Sequence, residues 1–294
     1  MIRLDRVTYT YPGTSKPALR DVSLLIPEGQ FCAVIGPNNA GKSTLAYAMA
    51  GFIPHFYRGA LAGSVTVDGK DMRQTPLHEL VLSVGLIMQN PFNQVSGTKF
   101  TVREEIAFGL ENLGVPREKM VERVEEAMAL VGIGDLAGRS PLALSGGQMQ
   151  RVAIAAILAM QPKVLVLDEP TSQLDPIGSK EVFSVVSALV AERKTTVVMI
   201  EHKLEWVAEF ADRVVALKGG EIIADGEAGR VLGEDPRVIE AVGQTRYSKA
   251  GLRARQEGLW PAGGRLPVTL EEAVEGFQEV RRMTEGGGRR MGID

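Results

Sequence analysis

The stretch GPNNAGKST, from Gly36 to Thr44, decides how this chain is read. It fits the pattern G-x-x-x-x-G-K-[ST], with Gly36, Gly41, Lys42 and Ser43 at the fixed positions and Pro37, Asn38, Asn39 and Ala40 between the glycines. FCAVI, residues 31–35, precedes it and predicts a short buried strand. LAYAMAG, residues 45–51, follows it and predicts a helix start. Strand, glycine-rich turn and helix together form a phosphate cradle, because backbone N–H groups in the turn and at the helix start converge on anionic oxygens. In such a loop Lys42 reaches the β- and γ-phosphates of a nucleotide, and the Ser43 hydroxyl is a ligand for Mg²⁺. A chance glycine-rich turn would lack these flanks.

The 294 residues allow one large domain, or one domain and an appendix. With 45% hydrophobic residues the chain has the means to bury a substantial core, and a formal charge of −3 points away from a polyanion binder. Cys32, the one cysteine, lies in the strand before the loop and reads as a small buried hydrophobe, which suits a reducing compartment. Arg3, Asp5 and Arg6 interrupt any signal-peptide pattern, and no apolar run reaches the ~18–20 residues that span a bilayer. A membrane role therefore requires a partner.

Outward from the loop, IRLDRVTY (2–9) alternates and predicts an edge-type strand, followed by a Pro12-Gly13 turn and a second alternating strand up to Ile26. Tyr11 sits at that turn, either free to stack on a nucleobase or packed as a rim aromatic on its own domain. SVTVDGKDM predicts a strand with a turn at Asp68-Gly69. Residues 84–88 predict an apolar strand that delivers Gln89 at its end, where a polar group beside a phosphate loop could order Mg²⁺ or water. Residues 101–137 read as helical: Thr101 and Glu104 form a capping box, and Pro116 opens a second, amphipathic helix. This all-helical stretch predicts a subdomain inserted in an α/β core. LSGGQ (144–148) then opens an alanine-rich helix, so Ser145, Gly146 and Gly147 are either an anion nest or a plain N-cap with flexible glycines.

VLVLDEP (164–170) is apolar throughout and ends in two carboxylates, which predicts a parallel strand buried on both faces. Asp168 is placed to hold Mg²⁺ near Ser43, and Glu169 to polarise a water. Adjacent carboxylates at a buried strand end are costly unless a cation or donors meet them. TTVVMI predicts another parallel strand, leading into Glu201-His202 where open α/β sheets bind ligands. His55 and His78 have no predicted role. ADRVVALKGGEIIADG predicts a closing hairpin around Lys218-Gly219-Gly220. Beyond it, DPRVIEAVG predicts a short helix, a second short helix follows Thr269, and EGGGRRMGID reads as a disordered tail. The arginines near this end are interspersed with acids, as on a solvated face.

The phosphate loop, Gln89, LSGGQ, LVLDEP, SQLD and His202 occur in the order of an ABC transporter ATP-binding subunit, and residues 2–230 resemble one. LSGGQ followed by LDEP separates this family from other phosphate-loop hydrolases. The resemblance implies an α/β fold: a P-loop NTPase three-layer core with an N-terminal antiparallel β-subdomain and an α-helical subdomain inserted at about 92–160. Residues 231–285 would form a small helical extension and 286–294 a disordered tail. It implies ATP and Mg²⁺ as ligands. Tyr11 resembles the aromatic that stacks adenine, and Gly36–Thr44 the Walker A loop. Gln89 resembles the glutamine that touches Mg²⁺ and the transporter's coupling helix, and Ser145, Gly146, Gly147 and Gln148 the signature that faces the opposite subunit's ATP. Asp168 resembles the Walker B aspartate, Glu169 the catalytic base, Asp175 the D-loop aspartate and His202 the switch histidine. Asn39 departs from the family, which usually has glycine there; asparagine tolerates left-handed backbone angles better than most residues.

The same resemblance implies a head-to-tail dimer, homomeric or heteromeric, with each ATP between one subunit's Walker A loop and the other's signature. VGLIMQNPFNQ and TVREEIAFGLENLG resemble the ATPases of energy-coupling factor importers, as does LPVTLEEAV near the C-terminus. Those work at the cytoplasmic face of the membrane with an integral coupling subunit and a substrate-binding membrane subunit, taking up vitamins or transition-metal ions, and not with nucleic acid. GFIPHFYRGALAGSVTVDGKD and IEHKLEWV resemble the branch linked to thiamine precursor uptake. C-terminal segments in this family stabilise the ATPase dimer. Other transporter types share the core motifs; soluble ABC proteins of DNA repair or translation normally pair two ATPase domains in one chain or carry a long coiled coil.

Overall fold

The computed structural model describes residues 1–261 and 264–287. β1 (Ile2–Thr10) and β2 (Leu19–Ile26) pair antiparallel, and β3 (Phe31–Ile35) runs into the phosphate loop and α1 (Lys42–Met49). A short α2 (Phe52–His55) leads to β4 (Ala60–Val67) and β5 (Lys70–Asp71), which complete an antiparallel sheet of order β2-β1-β4-β5. β1 is therefore central, paired on both sides, and not the edge strand that its alternation suggests. Alternation reports one buried face, with Ile2, Leu4, Val7 and Tyr9 inward. It is silent about lateral pairing, which β4 supplies from about sixty residues away.

After α3 (Leu77–Leu80) comes β6 (Val84–Ile87), then the inserted helices α4 (Val102–Asn112), α5 (Arg117–Leu130) and α6 (Gly146–Ala159). The predicted capping box forms at α4, between Thr101 and Glu104, and the structure adds a second at α6, where Ser145 caps the helix reciprocally with Gln148. β7 (Val164–Asp168), α7 (Pro176–Arg193), β8 (Thr196–Ile200), α8 (Leu204–Phe210), β9 (Arg213–Lys218) and β10 (Glu221–Glu227) follow. The second sheet has the order β10-β9-β3-β8-β7-β6, parallel except for the β9–β10 hairpin.

Buried clusters cover both faces of this second sheet, one on the face toward the antiparallel sheet and two side by side on the opposite face. Val164 and Val166 of β7 pack toward α1 and the antiparallel sheet, while Leu165 and Leu167 face the α4–α7 side. This double burial explains the unbroken apolar run. On the same face of the sheet as Leu165 and Leu167, Ala33 and Ile35 of β3 meet α8 and the helix α9 (Ala228–Glu234).

Beyond residue 235 the chain forms α10 (Pro236–Val242), α11 (Arg246–Gln256) and α12 (Leu270–Gly287). The sequence reading supplies α10, misses α9 and α11, and makes α12 too short. It also assigns residues 285–287 to a disordered tail, whereas they continue α12; residues 288–294 of that expectation lie outside the described residues.

Candidate active site

The C-terminal ends of β3, β6, β7 and β8 point the same way, so the residues that leave them converge. β3 delivers the phosphate loop. Gly36, with φ 154°, has no room for a side chain: a Cβ there would strike the carbonyl oxygen of Leu217. Gly41, with φ 101°, is pressed in the same way against the carbonyl of Ala18. Asn39 takes a left-handed φ of 62°, the conformation that glycine adopts at no cost and that asparagine tolerates. The departure from glycine is thus accommodated by the backbone.

Lys42 is buried, and its ammonium donates to the carbonyls of Gly36 (2.9 Å) and Pro37 (3.0 Å). Burial pushes its pKa down, while the charges of Glu169 and Asp168 oppose that shift. Asp168 ends β7 with only 3% of its surface exposed. Burial raises its pKa; a hydrogen bond with Ser43 acts the other way, and the neighbouring Glu169 adds to the rise. Its Oδ1 is buried with no hydrogen-bond partner. An orphaned carboxylate oxygen beside a serine hydroxyl and a phosphate loop is suited to a hydrated divalent cation. Among the described residues no cluster of three or more His, Cys, Asp or Glu could hold a metal unaided. That fits Mg²⁺, which is commonly bound by one or two carboxylates together with substrate phosphates.

Glu169 follows with φ 50°, a strained value for a residue with a long side chain. Its carboxylate is shared: Oε2 accepts from Gln89 Nε2 at 2.6 Å, and Oε1 lies 2.8 Å from His202 Nε2. Gln89 from β6, Glu169 from β7 and His202 from β8 thus form one chain of hydrogen bonds. They face residues 38–44 across a cleft of about 790 Å³.

The signature residues are elsewhere. Ser145, Gly146, Gly147 and Gln148 line a separate cavity of about 610 Å³ together with Asp175, and no residue lines both spaces. Within the chain Ser145 and Gln148 cap α6, and Asp175 caps α7 by accepting from the Gly178 amide at 2.7 Å. Gly146 and Gly147 allow the loop at Gln173 and Leu174 to pack closely on α6.

Tyr11 does not line the cleft, but it reaches the phosphate loop: its hydroxyl lies 3.2 Å from Thr44 Oγ1. Its ring meets Tyr9 edge-on at 4.8 Å and Tyr57 at 6.0 Å, and Tyr57 stacks on Tyr47 at 5.0 Å. Four of the five tyrosines therefore gather beside α1. Burial, with the nearby Tyr57, pushes the Tyr47 phenol up to about 12. Sequence reasoning missed Tyr47 and Tyr57, which carry no motif, and gave Thr171 and Glu201 no role. The available signal for Glu201 was its place, a carboxylate at the C-terminal end of a buried strand.

With this geometry in view, residues 19–172 match the family profile described as ABC transporter. The chain belongs to that family, as an ABC transporter ATP-binding subunit with the ABC ATPase fold. An ABC transporter ATP-binding protein, so named, from Pyrococcus abyssi (strain GE5 / Orsay) is 43% identical over 88% of this chain and 92% of its own length. A similarly named Streptomyces coelicolor protein is 44% identical over 97% of this chain, which spans 48% of that longer relative. A Methanosarcina acetivorans relative is spanned for only 35% of its length. Among solved structures, CbiO1 from Clostridium perfringens, described as part of the ABC transporter complex CbiONQ, is 30% identical with a TM-score of 0.71, over 87% of this chain and 96% of its own. The ATP-binding cassette MJ0796, solved as a dimer bound to ADP and Pi, is 28% identical with a TM-score of 0.69, over 78% of this chain and 99% of its own. No helix among the described residues of this ABC cassette is long and apolar enough to cross a membrane.

Proposed function

We propose that this cassette hydrolyses ATP to power an importer of the energy-coupling factor type, carrying a vitamin or a transition-metal ion. The observation that carries the catalytic part is the Gln89–Glu169–His202 chain facing the phosphate loop. In this reading residues 36–44 hold the phosphates through backbone N–H groups, and Lys42 exchanges its two carbonyl partners for phosphate oxygens. Ser43, Asp168 and Gln89 would hold Mg²⁺, which would supply charge neutralisation on those phosphates when bound. Glu169 orients a water for attack on the γ-phosphorus and accepts its proton as the bond to ADP breaks. His202 and Gln89 hold the Glu169 carboxylate in place on either side. Tyr11, braced by Tyr9 and Tyr57, offers a ring face to adenine.

The separate signature cavity supports a two-subunit site. One chain holds a catalytic half at residues 36–44 and a complementary half at residues 145–148, and a head-to-tail partner, identical or not, completes both. Residues 1–230 would form the ATP-binding unit, with 92–160 as its helical insert. Residues 231–285 would be an extension that stabilises the dimer. The likeness to CbiO1 and the VGLIMQNPFNQ stretch favour the energy-coupling factor type, hence an integral coupling subunit, a membrane substrate-binding subunit and a peripheral position on the cytoplasmic face. Purification of the tagged chain from detergent-solubilised membranes tests the assignment. Co-purifying coupling and substrate-capturing membrane subunits support it. A different transmembrane architecture would place this ATPase in another ABC transporter type.

A further inference from the structure

The loop between β7 and α7 is gripped at both ends by side chains that do not touch the cleft. Thr171, at its start, is fully buried, and its hydroxyl lies 2.6 Å from Glu201 Oε2. Ser179, just past its end, is also fully buried, and its hydroxyl accepts from Lys203 Nζ at 2.7 Å. The same ammonium donates to the Thr171 carbonyl at 3.0 Å. Lys203 thus ties the entry of the loop to its exit.

Glu201 joins this clip to the cleft. Only 3% of its surface is exposed, and Oε1 accepts the backbone amides of His202 (2.8 Å) and Lys203 (3.2 Å). One carboxylate therefore fixes the backbone at His202 with one oxygen and Thr171 with the other. A buried carboxylate with both oxygens engaged is rigid, since any movement leaves charge or donors unpaired at high cost. Residues 172–178, including Asp175 and the part that packs on Gly146 and Gly147, must then move with His202 or lose these bonds.

The geometry points to Glu201 as a positioning residue that makes the switch histidine and the 171–179 loop one mechanical body, with Lys203 as its second fastening. His202 contacts Glu169, whereas residues 173–175 border the signature cavity. The clip therefore links a chain's own catalytic half-site to the surface that completes its partner's. This inference rests on the ATPase reading above for its kinetic part and on geometry alone for its mechanical part.

The test compares the full-length wild-type chain with Glu201→Ala, Glu201→Gln and Thr171→Val. Hydrogen exchange of the nucleotide-free proteins is read first, because it does not depend on activity. Glu201→Ala is expected to speed exchange in both 172–178 and 202–205, and Thr171→Val to do the same more weakly. Acceleration confined to one segment overturns the inference. In steady-state ATP hydrolysis Glu201→Ala is expected to lower kcat about tenfold or more, because a small displacement of catalytic groups is costly. KM for ATP should stay within about twofold, since phosphate contacts are untouched. Glu201→Gln keeps the shape and one acceptor oxygen for the His202 and Lys203 amides, and the Thr171 hydroxyl can turn to accept from its NH2 group, so it should restore most of kcat. The double change Glu201→Ala with Thr171→Val should be no slower than Glu201→Ala alone, because both cut one link. Unaltered kcat in Glu201→Ala, or multiplying effects in the double variant, contradicts the proposal. If Glu201→Ala does not fold, Thr171→Val, which deletes only the hydroxyl link, decides by the same two readouts. A wild-type chain without ATPase activity refutes the ATPase reading instead, and the exchange data still judge the clip.

Discussion

Replacing Asp168 with asparagine should move stability in opposite directions with and without nucleotide. Asp168 is buried, Glu169 is its neighbour, and its Oδ1 has no partner. An unsatisfied buried polar group costs about 1–3 kcal/mol, and more when charged. Ser43 and the charge of Lys42 offset part of this, and an asparagine still needs partners, so the net gain on Asp168→Asn is about 1 kcal/mol. For a chain of this size that corresponds to a rise in Tm of about 2 °C. The pH dependence has a definite sign. Burial raises the folded-state pKa of Asp168 above its unfolded value. Between those two values the folded state holds the proton that the unfolded state has lost, so rising pH lowers stability across that window. The penalty is absent below the ordinary carboxylate range and complete above the raised pKa. The advantage of the variant should grow from pH ~4 upward. With nucleotide the order reverses. A ligand at a hundredfold its Kd stabilises by about 2.7 kcal/mol. In the wild type ATP with Mg²⁺ should stabilise more than ATP with a chelator, and in Asp168→Asn the two should coincide. Scanning calorimetry under these conditions decides it. A variant less stable than wild type without nucleotide, or one that retains the full Mg²⁺-dependent increment, refutes the cation-site reasoning.

Three further outcomes follow from the loop and its surroundings. Gly36→Ala forces a Cβ against the Leu217 carbonyl and to 3.2 Å from the Ala40 Cβ; it should cost about 1–3 kcal/mol in chemical denaturation and weaken ATP binding. Asn39→Gly should leave thermal stability within about 0.5 kcal/mol, whereas Asn39→Val, at a φ of 62°, should lose about 1–2 kcal/mol; equal stability of the two would show that the left-handed conformation is wrong. Tyr11→Phe keeps the ring and loses only the Thr44 contact, so KM for ATP should change by no more than about twofold, while Tyr11→Ala, losing a stack of about 1–1.5 kcal/mol, should raise it about tenfold. Equal KM values for all three proteins would leave Tyr11 as a packing residue only.

The parts legible in the sequence were those whose cause is local. The glycines of the phosphate loop, the Thr101–Glu104 box and the double burial of β7 each follow from a few adjacent residues and appear in the structure as read. Misreadings arose where the cause is distant. The central place of β1 depends on β4, and the tyrosine cluster on a meeting of β1, α1 and the segment after α2. Helix α11 is rich in charge and contains Gly251, so its period is hard to see, yet that glycine gives room for Pro267. Gly276 likewise blurs α12, and it is there that the ring of Trp260 packs on the helix. At the site, the sequence names Gln89, Glu169 and His202 separately; only the fold shows that they share one carboxylate. Glu201 and Thr171 lie thirty residues apart, and no spacing rule joins them.

ATP turnover by Glu169→Gln asks whether Glu169 activates the attacking water. Wild type and variant are assayed for phosphate release alongside light scattering with and without ATP. Turnover should fall about 10²–10⁴-fold in the variant, with an ATP-stabilised dimer still formed. Undiminished hydrolysis by Glu169→Gln would contradict that role for Glu169.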